Sequence, residues 1–88
     1  MKIIKRSGAE VVFDPQKIVV AVTKANESVV PSSRMSAVQI KRIAEDVESA
    51  AVNINRSLSV EEIQDMVEDQ IMNQRAFDVA RRYITYRY

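Results

Sequence analysis

Three groups of cations in this 88-residue chain have the type and spacing to hold an anion. Lys5 and Arg6 are adjacent and stand just before the single glycine, Gly8. Lys17 follows an Asp14-Pro15 pair that reads as a helix start. It therefore falls in a first helical turn, where unpaired backbone N–H groups and the helix dipole favour negative charge. Arg81, Arg82 and Arg87 lie near the other end of the chain, in a second helical stretch. Arginine meets phosphate with a bidentate fork and lysine with a point charge. A Walker-type site is excluded, because no glycine-rich phosphate loop is present. The competing reading is that Lys5 and Arg6 only keep an edge strand soluble. Residue type alone does not choose between the two. Tyr83, Tyr86 and Tyr88 could stack on a base, but tyrosines beside Ile84 on a helix more often pack at a core edge with the hydroxyl in water.

Enzyme chemistry finds little to work with. The chain has no His and no Cys, which removes the commonest general base, thiolate metal sites and disulfides. It also lacks a Gly-x-Ser-x-Gly elbow. The acids Glu61, Glu62, Asp65, Glu68 and Asp69 read as a solvated face that also matches a helix N-terminal dipole. The net charge of +1 hides a pattern: +3 over residues 1–24, zero over 25–56, −5 over 57–74 and +3 over 75–88. Two basic ends that met in space would form an anion site. A small basic nucleic-acid binder is disfavoured by the low net charge and the lack of a basic recognition helix.

The elements that must position these cations follow from the apolar pattern. Residues 2–6 and 10–13 are short β-prone runs joined by Ser7-Gly8-Ala9, which predicts a hairpin. A lone hairpin is marginal in water, so it is expected to cap helices. Asp14-Pro15 starts a first helix running to about Val29, with Ile18, Val22, Ala25 and Val29 on one stripe. Ser36 to Gln39 is a capping box for a second helix ending near residues 53–55, with Ile40, Ile43, Val47, Ala50, Ala51 and Ile54 inward. Leu58 falls in a short extended segment. Ser59 to Glu62 is another capping box, opening a helix with Ile63, Met66, Val67 and Ile71 inward. A last helix takes residues 77–87, with Phe77, Ala80, Ile84 and Arg87 on one side and Tyr83 beside them. The predicted class is α+β and mostly helical: four helices capped by an N-terminal hairpin or small sheet, in one domain over 1–88. The pattern stops abruptly at Arg87-Tyr88, as expected of an N-terminal piece of a longer chain. No apolar run nears the ~18 residues of a membrane span, and no signal peptide is visible, so a cytoplasmic location is expected.

Three stretches, in register over nearly the whole chain, resemble the ATP-cone family. Lys5-Arg6-Ser7-Gly8 with Phe13-Asp14-Pro15-Gln16-Lys17-Ile18 is similar to the family's opening strand, turn and first helix start. Ser59 to Glu68 is similar to its third helix, and Val79 to Arg87 to its closing helix. Ser7 departs from the pattern, where the family usually has Asp. The stretch from Phe13 to Asn26 looks most like the anaerobic, glycyl-radical class of ribonucleotide reductase.

The resemblance implies a nucleotide-binding regulatory domain of a ribonucleotide reductase, with ATP activating and dATP inhibiting, accompanied by Mg²⁺. By its pattern Ile3 meets adenine through the backbone and Ile18 lines the base pocket. Lys5 and Arg6 hold phosphates, Asp14 and Lys17 are helix-start polar positions, Gln64 is a third-helix polar position, and Tyr86 and Arg87 face the nucleotide. The implied partners are the adenine nucleotide, the parent's catalytic domain and further copies of the chain in a nucleotide-dependent oligomer. Two other readings stand beside it: the cone of a zinc-containing transcriptional repressor of reductase genes, against which the absence of Cys speaks, and an assembly domain without a ligand.

Overall fold

The computed structural model describes residues 1–87. Strands β1 (Lys2–Ile4) and β2 (Glu10–Val12) precede α1 (Pro15–Glu27) and a 3-10 turn at Pro31–Ser33. Then come α2 (Ala37–Asn53), β3 (Leu58–Ser59), α3 (Val60–Asn73) and α4 (Phe77–Tyr86). The expected hairpin and four helices are present, with shorter strands than expected. Lys5 and Arg6 belong to the turn: the Gly8 N–H donates to the Lys5 carbonyl at 2.8 Å, with Gly8 at φ 89°. A positive φ is cheap only without a Cβ.

The sheet has three strands in the order β2-β1-β3. β1 and β2 are antiparallel, with Ile3 opposite Val11. β3 runs parallel to β1, with Ile3 beside Leu58. A segment 55 positions downstream thus completes a sheet that a lone hairpin could not sustain. β2 feeds into the start of α1 and β3 into the start of α3, so the sheet closes one end of the bundle. α1 packs against α2 and α4, and α3 packs against the same two.

The starts of α1, α2 and α3 are locally specified by side-chain caps, whereas α4 follows Ala76 with no side-chain cap. Asp14 caps α1 by accepting from the Gln16 N–H at 3.0 Å, and Pro15 occupies the first helical position. That cap carries the β-branched run Ile18 to Val22 into a helix whose buried stripe is Ile18, Val22 and Ala25. Both capping boxes are closed, Ser36 with Gln39 and Ser59 with Glu62. The fully buried Val22, Ile43, Val47, Leu58, Val67, Ile71 and Val79 fill the centre. Full burial of such a side chain contributes about 1.5–3 kcal/mol.

Two predicted stripes differ at their edges. On α2, Ala50 and Ile54 are exposed, and Ala44 takes the inward place. On α4, Phe77 and Ile84 are exposed, and Val79, Ala80 and Tyr83 face the core. Tyr83, 4% exposed, turns inward and lines the cavity it shares with α1 and α3 residues. Tyr88 lies outside the described residues.

Candidate functional site

A cavity of about 300 Å³ opens between the sheet and the ends of α1, α3 and α4. Its sheet wall is Ile3, Val11, Val12 and Phe13. Ile18 and Ala21 of α1, Val60 and Ile63 of α3, and Tyr83 of α4 complete the apolar lining. Lys5, Asp14, Lys17 and Gln64 supply its polar groups. Two ammonium groups and one carboxylate thus border an apolar slot. Such a slot suits a flat apolar body with an anionic tail: the walls gain from covering the ring system, and the lysines neutralise the tail. Asp14 is already committed to the α1 cap, which fixes its position beside Lys17.

The nine residues that the sequence resemblance assigns to a nucleotide divide into two sets. Ile3, Lys5, Asp14, Lys17, Ile18 and Gln64 come together on this one cavity. Arg6, Tyr86 and Arg87 do not line it.

The family comparison agrees in extent. The ATP-cone model, described as the ATP cone domain, matches residues 1–88. This chain belongs to the ATP-cone family. Among curated proteins the cone is 38% identical over 93 residues to the ribonucleoside-diphosphate reductase subunit alpha of Chlamydia pneumoniae, covering 97% of this chain and 9% of that protein. It is 33% identical over 95 residues to the subunit of the same name from Chlamydia trachomatis serovar D, covering 99% and 9%. It is 37% identical over 91 residues to the vitamin B12-dependent ribonucleoside-diphosphate reductase of Thermoplasma acidophilum, covering 98% and 11%. The chain therefore spans about a tenth of the length of these relatives.

Outside the cavity Arg6, Arg56, Arg81 and Arg87 are paired with acids. The Arg6 Nε lies 3.1 Å from Glu61 Oε1, joining the hairpin turn to the first turn of α3. Its own backbone N–H, and then Arg6, hold the Glu61 carboxyl below its ordinary value. Arg56 pairs with Glu62 at 2.7 Å. That guanidinium and the Ser59 N–H lower the Glu62 carboxyl to about 2. Arg87 is gripped by two carboxylates, with Nη2 2.9 Å from Asp65 Oδ1 and Nη1 3.0 Å from Glu68 Oε2. Tyr86 lies under the Lys24 ammonium, 5.2 Å from the ring centre. The α3 acids are therefore not merely a solvated face: Glu61, Glu62, Asp65 and Glu68 each hold an arginine. Charge counting placed the acidic and basic segments correctly but could not pair them, since the pairs span up to 55 positions.

Tyr83 lines the cavity and is buried, and burial pushes its hydroxyl pKa up to about 12. It stays neutral and acts as a donor or acceptor, not a base. The sequence does not mark Val11, Val12, Phe13, Ala21, Val60 or Ile63 for the site, and Tyr83, a candidate for base stacking there, reads by type as a core-edge residue. A partial signal exists in the β2 run, whose alternation places Val11 and Phe13 on one face. No comparable signal marks Ala21 or Val60. No helix among the described residues is long and apolar enough to cross a membrane.

Proposed function

We propose that this cone is the allosteric nucleotide sensor of a ribonucleotide reductase, binding ATP or dATP in the cavity between sheet and bundle. The observation that carries the reading is the convergence of Lys5, Lys17, Asp14 and Gln64 on an apolar slot walled by Ile3 and Ile18. The base would take the slot, and the phosphates would meet Lys5 and Lys17. A Mg²⁺ ion would arrive on the triphosphate, since such ions bind through phosphate oxygens with one or two carboxylates. Asp14 is the carboxylate on this wall.

The names of the relatives support a parent that reduces ribonucleotides. They favour a diphosphate reductase over the anaerobic, glycyl-radical class that Phe13 to Asn26 resembles. In this reading ATP switches the parent on and dATP switches it off, in the cytoplasm. The two ligands differ only at the ribose 2′ position, so the switch needs different affinities for two states of the assembly. Those states would differ in docking to the catalytic domain or in self-association, because a domain this small has little core to rearrange.

Calorimetry on the 88-residue chain with ATP, dATP, GTP and CTP tests the reading. Saturable binding of ATP and dATP, weaker for GTP and CTP, is expected. A ligand at 100 times its Kd raises stability by roughly 2.7 kcal/mol, which thermal denaturation also detects. Equal affinity for all four nucleotides, or none, would overturn the assignment.

A further inference from the structure

We propose that Arg87 is a positioning residue for the cavity, acting through Gln64, with Asp65 and Glu68 as the side chains that hold it in place. The inference rests on the nucleotide reading above and adds how one polar group of the wall is aimed.

Gln64 Nε2 donates to the Arg87 backbone carbonyl at 3.3 Å. A carbonyl only accepts, so the bond decides which end of the amide is nitrogen. It leaves Oε1 and the second N–H of Gln64 for a ligand. The acceptor is therefore part of the site's geometry, although it does not line the cavity. That acceptor is a helix end: the Arg87 N–H donates to the Tyr83 carbonyl at 3.0 Å, in the last turn after α4. Such turns fray unless something holds them. Here the hold is the Arg87 side chain, only 7% exposed and gripped by Asp65 and Glu68. Gln64, Asp65 and Glu68 lie within five positions of α3, so a little more than one helical turn grips both the backbone and the side chain of one residue. Glu68 is the better buried anchor, 24% exposed against 68% for Asp65.

The alternative role for Arg87 is direct contact with phosphate. The two roles predict opposite responses to Glu68→Gln. If the guanidinium is a ligand contact withheld by its carboxylates, removing a competing charge raises affinity. If it positions Gln64, the last turn loosens and affinity falls.

The experiment measures ATP binding by calorimetry for wild type, Glu68→Gln, Gln64→Ala and the double variant, alongside NMR of the ligand-free chains. Glu68→Gln is nearly isosteric and partly exposed, and Arg87→Lys provides a second, charge-conserving change in the same contact. We expect Glu68→Gln and Gln64→Ala each to weaken ATP roughly 2- to 13-fold, the scale of one hydrogen bond. The double variant should be no weaker than Gln64→Ala alone, because both changes remove one interaction. Arg87→Lys should fall between wild type and Gln64→Ala. The Gln64 side-chain amide resonances should shift in ligand-free Glu68→Gln. Tighter or unchanged ATP binding in Glu68→Gln, or additive losses in the double variant, would overturn the proposal. Failure of the wild type to bind ATP would overturn the function reading instead. The ligand-free spectra then still decide the positioning, since an unmoved Gln64 amide pair would refute it.

Discussion

The side-chain amide of Asn26 makes the same pair of hydrogen bonds to Met35 that a neighbouring backbone would. Its Nδ2 donates to the Met35 carbonyl at 3.0 Å, and its Oδ1 accepts from the Met35 N–H at 2.8 Å. Both residues are buried, with Asn26 only 8% exposed. The pair ties the end of α1 to the loop before α2, where no regular element satisfies the backbone. Asn26→Ala leaves a buried donor and a buried acceptor unpaired, each costing about 1–3 kcal/mol. We expect a loss of about 2–6 kcal/mol in urea denaturation. Asn26→Asp cannot donate and should also destabilise. A loss below about 0.5 kcal/mol, the range of ordinary surface changes, would show that water replaces the amide.

Lys5 and Lys17 stand on the cavity wall, whereas Arg6 is committed to Glu61 at 3.1 Å. Lys5→Ala and Lys17→Ala should therefore each weaken ATP about 10- to 150-fold, the scale of a charge-assisted contact. Arg6→Ala should weaken it less. All three side chains are exposed, so melting temperatures should move little. Calorimetric titration ranks the variants, and a larger effect for Arg6 would place the phosphates at the hairpin turn.

Arg75 has a left-handed backbone, φ 61°, at the end of α3. Its N–H donates to the Met72 carbonyl at 2.9 Å and the Ala76 N–H to the Ile71 carbonyl at 3.4 Å, the bond pattern of a Schellman cap. Glycine is the usual residue there, since a Cβ in this region costs about 1–2 kcal/mol. Arg75→Gly should raise stability by about 1 kcal/mol, after the added flexibility of the unfolded chain is offset. A lower melting temperature would mean that the exposed Arg75 side chain makes a contribution larger than the backbone strain.

The Glu62 carboxyl titrates at about 2 in the fold against 4.5 as its ordinary value. Between these values the unfolded chain binds more protons than the folded one, so falling pH favours unfolding. The contribution is fully present above about pH 4.5 and is lost as pH falls to about 2. Glu61 is shifted in the same direction. Melting temperature should fall across this window, and fall less in Glu62→Gln, which keeps the cap shape without the charge. Parallel pH profiles for the two proteins would remove Glu62 from the acid response.

The helices were legible because their instructions are local. Asp14-Pro15, Ser36 with Gln39 and Ser59 with Glu62 each act within four residues, and the apolar period is read along the same stretch. The hairpin was legible for the same reason, through Gly8. Six of the nine residues expected at a nucleotide line one cavity; of these, Asp14, Lys17 and Ile18 sit at the start of α1, where the Asp14 cap and Pro15 set the helix in place. What only the tertiary structure decided was partnership between distant segments. β3 joins β1 in parallel, Tyr83 of α4 turns inward, and Arg6 and Arg87 turn to α3 acids rather than to the cavity. A charge in the sequence states only its sign and its place along the chain. Which opposite charge lies within 3 Å depends on how helices pack, and packing is settled by the shapes of buried side chains in several elements at once.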